Sequence, residues 1–109
     1  MTEVTALYRR GTLVGFDAAG HAGHGFKGTD IVCSAVSALT QTAVMGIVDL
    51  LLCPCSIETK DGALRIVVGE DASPELIEKA ELILETMLLG LRSIEEQYKK
   101  NLKLDKKEV

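Results

Sequence analysis

Apolar and polar residues alternate twice near the start of the chain, over residues 2–8 (TEVTALY) and 12–19 (TLVGFDAA). Alternation with a period of two is typical of a strand with one buried face, and the break at Arg10-Gly11 suits a tight turn. The pattern therefore predicts a β-hairpin whose buried face carries Val14, Phe16 and Ala18.

The segment from Asp30 to Leu52 has no strand-breaking residue, and residues 31–48 carry no charge. Its length and its content of alanine, leucine and valine predict a central helix that is covered by protein on most sides. Its serines, threonines and glutamine make it too polar to face lipid all round, so we do not expect a membrane span. Pro54, in the Cys-Pro-Cys segment at 53–55, predicts the end of this helix.

A second hairpin and a second helix follow. The runs SIET and ALRIVV flank Lys60-Asp61-Gly62, and Asp-Gly between β-rich runs predicts a two-residue turn. Ser73 as N-cap and Pro74 at the first helical position predict a helix that continues to about Tyr98. Its apolar residues fall on one broad arc, namely Leu76, Ile77, Ala80, Ile83, Leu84, Met87, Leu88, Leu91 and Ile94. Leu82 and Leu89 lie outside the arc and predict a small exposed apolar strip.

The predicted order of elements is strand-strand-helix, repeated once. Two β-hairpins forming one antiparallel sheet packed with two long helices give an α+β fold. A length of 109 residues supports one domain, which we place at residues 1–101, followed by a basic C-terminal tail at 102–109. So short a chain does not easily cover a nearly all-apolar helix by itself, which predicts a homodimer.

Charge is unevenly distributed along the chain. Residues 1–98 contain 7 Lys and Arg against 14 Asp and Glu, a balance of −7, whereas residues 99–109 contain 5 against 2, a balance of +3. An acidic body does not suit a nucleic-acid binder and favours a basic protein partner. The lysine-rich tail is expected to be solvated and frayed.

The first ten residues and the cysteine count both bear on localisation. MTEVTALYRR lacks the apolar core of a signal peptide, which predicts a cytoplasmic protein without a membrane partner. Three cysteines in such a chain are expected to be reduced thiols.

Candidate chemistry lies in residues 20–39, GHAGHGFKGTDIVCSAVSAL. Thr29 or Asp30 could cap the central helix, so Cys33 would lie in its first turn, where free N–H groups and the helix dipole favour a thiolate. His21 and His24 are equal candidates for an imidazole beside this sulfur. Cys33 and one of these histidines would supply the nucleophile and the general base of a cysteine hydrolase.

Three other interpretations of these residues remain open. Residues 23–28 match the G-x-G-x-x-G pattern of dinucleotide-binding loops, but they follow an antiparallel hairpin. Histidines and cysteines could bind zinc, although the usual C-x2-C spacing is absent and the Cys-Pro-Cys segment lies at the far end of the helix. Cys33 could also be a small core residue. We predict neither a metal nor a cofactor.

Residues 20–39 resemble the signature of the ribosomal-processing cysteine proteases (Prp). In that family a Gly-His-Ala motif, a glycine-bearing loop and Asp-Ile-Val-Cys at the start of a long helix follow one another in this order. The order of strands and helices and the SIEEQY sequence near the end of the last helix resemble the family too, up to about Asn101.

The resemblance implies a small dimeric cysteine endopeptidase that removes a short N-terminal extension from protein twenty-seven of the large ribosomal subunit. It implies His21 as the catalytic histidine and Cys33 as the nucleophile, with Asp30 and Ser37 in support; Asp30 would orient His21 or only cap the helix. It also implies a substrate peptide laid across the glycine loop, which we place at Gly20, Gly23, Gly25 and Gly28. Cys53 and Cys55 receive no role. The alternative function is a non-enzymatic ribosome-assembly adaptor with a packed Cys33.

Overall fold

The structure is a computed structural model that describes residues 1–20, 27–60 and 62–109, with residues 27–30 described by their backbone. Its elements in chain order are β1 (Thr2–Arg9), β2 (Thr12–Gly20), α1 (Lys27–Met45), a π-helical turn (Gly46–Leu50), β3 (Cys55–Lys60), β4 (Ala63–Val68), α2 (Pro74–Gln97) and β5 (Leu102–Glu108).

Five strands form one sheet in the order β3-β4-β2-β1-β5. The hairpins β1–β2 and β3–β4 are confirmed, and antiparallel pairing of β2 with β4 joins them into one sheet as predicted. The first hairpin turns through Arg10 and Gly11, whose φ angles are 53° and 82°. A two-residue loop with both φ angles positive matches the right-handed twist of the flanking strands, which explains why the chain reverses there.

The fifth strand corrects two of the predictions. Residues 102–108 are not a frayed tail, because they pair with β1 from Thr2↔Leu102 to Tyr8↔Glu108. This pairing is parallel, so the sheet is mixed and not purely antiparallel as expected. Leu102 is buried, and Glu95 of α2 accepts a hydrogen bond from the Leu104 N–H at 2.8 Å. The C-terminal segment is therefore an integral part of the fold.

Helix α1 is less covered than predicted. It begins at Lys27, three residues before the expected start, and a π-helical turn replaces its expected last turn. Val32, Val36, Ala43 and Ile47 are buried on one side, whereas the other side is exposed, namely Ser34, Ser37, Ala38, Gln41, Thr42 and Met45. By length and mean hydropathy alone (1.8), residues Ile31–Leu50 would also pass as a membrane span. Here their buried side joins the hydrophobic core.

Helix α2 confirms its prediction closely. The Ser73 side chain accepts a hydrogen bond from the Leu76 N–H at 3.2 Å, Pro74 is the first helical residue, and the helix ends at Gln97. The predicted apolar arc is buried or half-buried throughout. Leu82 and Leu89 are exposed to 68% and 65%, as the helical pattern predicted.

The helices share one hydrophobic core with one face of the sheet. Val14, Phe16 and Ala18 are buried on that face, as predicted, together with Val4 and Ala6 of β1 and Ile66 of β4. Since side chains alternate between the faces of a strand, Thr2 lies on the same face of β1 as Val4. This places the first residue of β1 toward the helices.

Candidate active site

Cys33 lies on α1 at the end of the sheet where β1 begins and β2 ends. Its side chain is half-buried, and its sulfur lies 3.2 Å from the hydroxyl oxygen of Thr2. Either atom can be the donor in this contact, because both carry a hydrogen in the neutral form. The buried Thr2 side chain thus gives the thiol a polar neighbour that comes from a different part of the sequence.

Cys33 also lines a cavity of about 400 Å³. One wall is the exposed side of α1, with Ser37 and Gln41, and the other is the end of β2, with Ala18 to Gly20. The tip of the β3–β4 hairpin closes the third side with Thr59, Lys60, Gly62, Ala63 and Leu64. A thiol at the edge of a cavity of this size can reach a bound ligand.

The start of α1 corrects the expected position of Cys33 in the helix. Because α1 begins at Lys27, Cys33 is its seventh residue and lies in the second turn, about 9 Å along the axis from the first residue. Thr29 and Asp30 are inside the helix and do not cap it. The influence of a helix dipole falls off within the first turn, so it acts only weakly at this sulfur.

The other predicted site residues are distributed as follows. Ser37 is exposed and lines the cavity one turn after Cys33. Gly20 is the last residue of β2 and Gly28 belongs to α1, so neither lies in a loop. His21, Gly23, His24 and Gly25 lie outside the described residues, as does the side chain of Asp30.

The two remaining cysteines are in a different environment. Burial raises the pKa of the Cys53 thiol above its ordinary value, and the neighbouring Cys55 and Asp71 raise it further. Burial also raises the pKa of Cys55. Both are therefore protonated at neutral pH. Among the residues that the structure describes, no three His, Cys, Asp or Glu side chains come close enough together to bind a metal ion.

Sequence reasoning missed Thr2. The signal that could have found it is the parity of β1, since Thr2 shares the core-facing positions with Val4 and Ala6. A buried hydroxyl at a core-facing position needs a hydrogen-bond partner. The identity of that partner depends on tertiary packing, because 31 residues separate Thr2 from Cys33.

Comparison with known proteins adds to this geometry. The family model described as cysteine protease Prp matches residues 1–103. Two proteins named ribosomal processing cysteine protease Prp are similar to the chain. The one from Staphylococcus aureus is 38% identical over 89 residues, or 81% of each chain. The one from Bacillus subtilis is 33% identical over 97 residues, or 84% of each chain.

Two crystal structures of the Prp protease from S. aureus share the fold. One contains a substrate peptide and superposes with a TM-score of 0.83 at 33% identity. The other contains a covalently linked product peptide and superposes with a TM-score of 0.80 at 34% identity. Each covers 98% of this chain and 100% of the other. With the family match over nearly the whole length and relatives above 30% identity, the chain belongs to the Prp family of cysteine proteases.

Proposed function

We propose that the chain is a cysteine endopeptidase that removes the N-terminal extension of protein twenty-seven of the large ribosomal subunit. The observation that carries this proposal is the half-buried Cys33 thiol at the edge of a cavity of about 400 Å³. A cysteine protease needs its sulfur at the surface of a cleft that accepts a peptide. The words "ribosomal processing" in the names of the relatives support the choice of substrate.

In the proposed mechanism His21 takes the proton of Cys33, and the thiolate attacks the carbonyl carbon of the scissile peptide bond. The resulting tetrahedral intermediate collapses as the His21 imidazolium gives its proton to the departing amine, and a thioester remains on Cys33. His21 then removes a proton from water as the water attacks the thioester carbonyl, and gives this proton to the departing sulfur, so that the C–S bond breaks and the new acid and the Cys33 thiol are released. No cofactor enters either step. The covalently linked product peptide of the S. aureus structure supports such an intermediate.

We propose the following roles for the supporting residues. Ser37 lines the cavity and is positioned to contact the bound peptide. Asp30 would orient His21, which it follows by nine residues in the chain. Gly23 and Gly25 are the proposed peptide-contacting glycines of the loop, since Gly20 and Gly28 belong to β2 and α1.

The proposed partner is a basic ribosomal protein, and the proposed location is the cytoplasm. Residues 1–98 have a net charge of −7, which attracts a basic partner through long-range electrostatics. Such steering speeds association and weakens as salt rises.

We also infer a homodimer in which a second copy covers the open side of α1. Leu50, Leu52 and Met45, at and beyond the end of α1, are exposed to 79%, 78% and 53%. Several large, exposed apolar side chains within eight residues of the sequence are typical of a protein interface. A second copy carries the same surface, as a two-fold contact requires.

The test is cleavage of a synthetic peptide that spans the extended N-terminus of the ribosomal protein. Cys33→Ala and His21→Ala are each expected to reduce the cleavage rate by at least a thousandfold, because each removes one half of the acid–base and nucleophile pair. Cys55→Ala is the matched control and should retain wild-type cleavage. Cleavage by Cys33→Ala at the wild-type rate contradicts the mechanism, and no cleavage by the wild-type chain contradicts the substrate assignment.

A further inference from the structure

The side chains of Thr2 and Cys33 are in direct contact. The two side chains meet at 3.2 Å between Oγ1 and Sγ, and Thr2 is only 5% exposed. The Thr2 side chain is therefore largely shielded from solvent. A buried hydroxyl at this distance can donate to the sulfur whenever the sulfur carries a negative charge.

The backbone around Thr2 is fixed on both sides. β1 lies between β2 and β5, and Thr2 is paired with Gly20 on one side and Leu102 on the other. The Thr2 N–H donates a hydrogen bond to the Asn101 carbonyl at 2.9 Å. The hydroxyl is thus attached to a backbone that is held in position by a paired strand on each side, β2 and β5.

Gly20 provides the space that the Thr2 side chain occupies. A Cβ on Gly20 would lie 3.0 Å from Thr2 Oγ1 and 3.2 Å from its Cγ2, both tighter than ordinary carbon contacts. An alanine there would push the threonine side chain away from its present position by a few tenths of an ångström. The glycine before His21 therefore has a packing role that involves Thr2.

We propose that Thr2 is a positioning residue for the Cys33 nucleophile. This inference rests on the proposed function. When Cys33 passes its proton to His21, the Thr2 O–H donates a hydrogen bond to the thiolate and keeps the sulfur at the edge of the cavity. No bond to Thr2 forms or breaks in the reaction, and the threonine keeps its own proton throughout. This interaction replaces the helix-dipole effect that the sequence predicted.

The charged groups around the sulfur determine how a pH profile is interpreted. Within the described residues, Lys60 from the β3–β4 hairpin is the charged side chain that lines the cavity with Cys33. His21 and Asp30 lie near Cys33 in the sequence. None of these groups is altered by a substitution at Thr2, so a change in the profile on Thr2 substitution reports the loss of the hydroxyl.

The experiment compares Thr2→Val, which keeps the shape of the side chain, with Thr2→Ser, which keeps the hydroxyl. The rate of iodoacetamide alkylation at Cys33 is measured from pH 5 to pH 10 by mass spectrometry of the full chain. Thr2→Val should lower the alkylation rate at neutral pH about tenfold and move the profile to higher pH by about one unit, since one hydrogen bond to a charged atom is lost. Thr2→Ser should stay within about threefold of wild type.

Two internal references accompany the measurement. Thr5→Val makes the same substitution on the opposite face of β1 and should leave the Cys33 profile unchanged. Cys53 and Cys55, whose pKa values are raised by burial, should react appreciably only in the alkaline part of the range in every variant. Thermal unfolding identifies any variant whose fold is lost.

Peptide cleavage separates this inference from the proposed function. If Thr2 positions the nucleophile, Thr2→Val should lower kcat about tenfold with little change in KM, and Thr2→Ser should restore it. An alkylation profile of a folded Thr2→Val protein within twofold of wild type overturns the inference, even if Cys33→Ala is inactive. Equal losses in folded Thr2→Val and Thr2→Ser overturn it as well. If Cys33→Ala remains active, the proposed mechanism is overturned. The alkylation profile then decides by itself whether Thr2 acts on the Cys33 sulfur.

Discussion

At the scale of single residues, three cysteines of one chain differ in chemistry because their surroundings differ. Cys53 is 5% exposed and its thiol donates to the Pro54 carbonyl at 3.6 Å, which favours the neutral form. Cys33 lies at the edge of a cavity and beside a hydroxyl group that can donate to an anion. We therefore propose that Cys33 is distinguished from the other two cysteines by its position in the fold, since the residue type alone does not separate them.

The local sequence identifies Cys33 as a candidate nucleophile, but it does not identify Thr2 as the polar residue beside the sulfur. Cys33 is recognisable from its local motif, because Asp-Ile-Val-Cys and the preceding Gly-His-Ala lie within 14 residues of one another. Thr2 becomes visible only after the register of β1 with β2 and β5 is known. The contact forms because strand pairing brings these distant residues together, and a local sequence pattern does not show this pairing.

At the scale of elements, segments with strong local sequence signals were predicted correctly, and the segment with weak signals was not. The two hairpins and α2 follow from turn residues, an N-cap and one apolar arc, and all three were predicted correctly. β5 has the sequence LKLDKKE, in which charged residues outnumber apolar ones. Its pairing with β1 depends on burial of Leu102 and on the edge that β1 offers, so a prediction from local pattern assigns it to a solvated tail.

The contribution of β5 is measurable through Leu102. Leu102→Ala should lower the free energy of unfolding by about 2 to 4 kcal/mol, because it removes a side chain that is 1% exposed and leaves a cavity. Lys103→Ala, on the next and exposed position, is the matched control and should change it by less than about 0.5 kcal/mol. Chemical denaturation monitored by circular dichroism measures both. Equal stability of the two variants would show that β5 does not contribute to the fold.

At the scale of the whole molecule, the described residues of one chain leave exposed the mostly polar side of α1 and the large apolar side chains of Met45, Leu50 and Leu52. The exposed side of α1 was expected to be covered by protein, and within the described residues of a single chain it is not. The sequence predicted a long helix here, but it placed the start three residues too late and did not predict the π-helical last turn. It could not show how much of the helix five strands and one further helix would leave open, because that depends on the sheet order.

The proposed homodimer gives that surface a partner, and the molar mass in solution tests it. Multi-angle light scattering after size exclusion at micromolar concentration should give twice the mass of the 11.7 kDa chain. Leu50→Glu should give a monomer, because a charge at the centre of an apolar contact is costly to desolvate. Ser93→Glu, on an exposed position of α2, should remain a dimer. A monomeric wild-type chain would contradict the proposal.

We propose that the sulfur of Cys33 forms the covalent intermediate. The mass of the protein trapped during the reaction tests this most directly. The chain is mixed with an ester analogue of the substrate peptide, quenched in acid within its first turnover and analysed by peptide mapping. We expect one adduct, with the mass of the acyl portion, on Cys33, and none on the Cys33→Ala chain. An adduct on Ser37, Cys53 or Cys55 that persists in Cys33→Ala would contradict it.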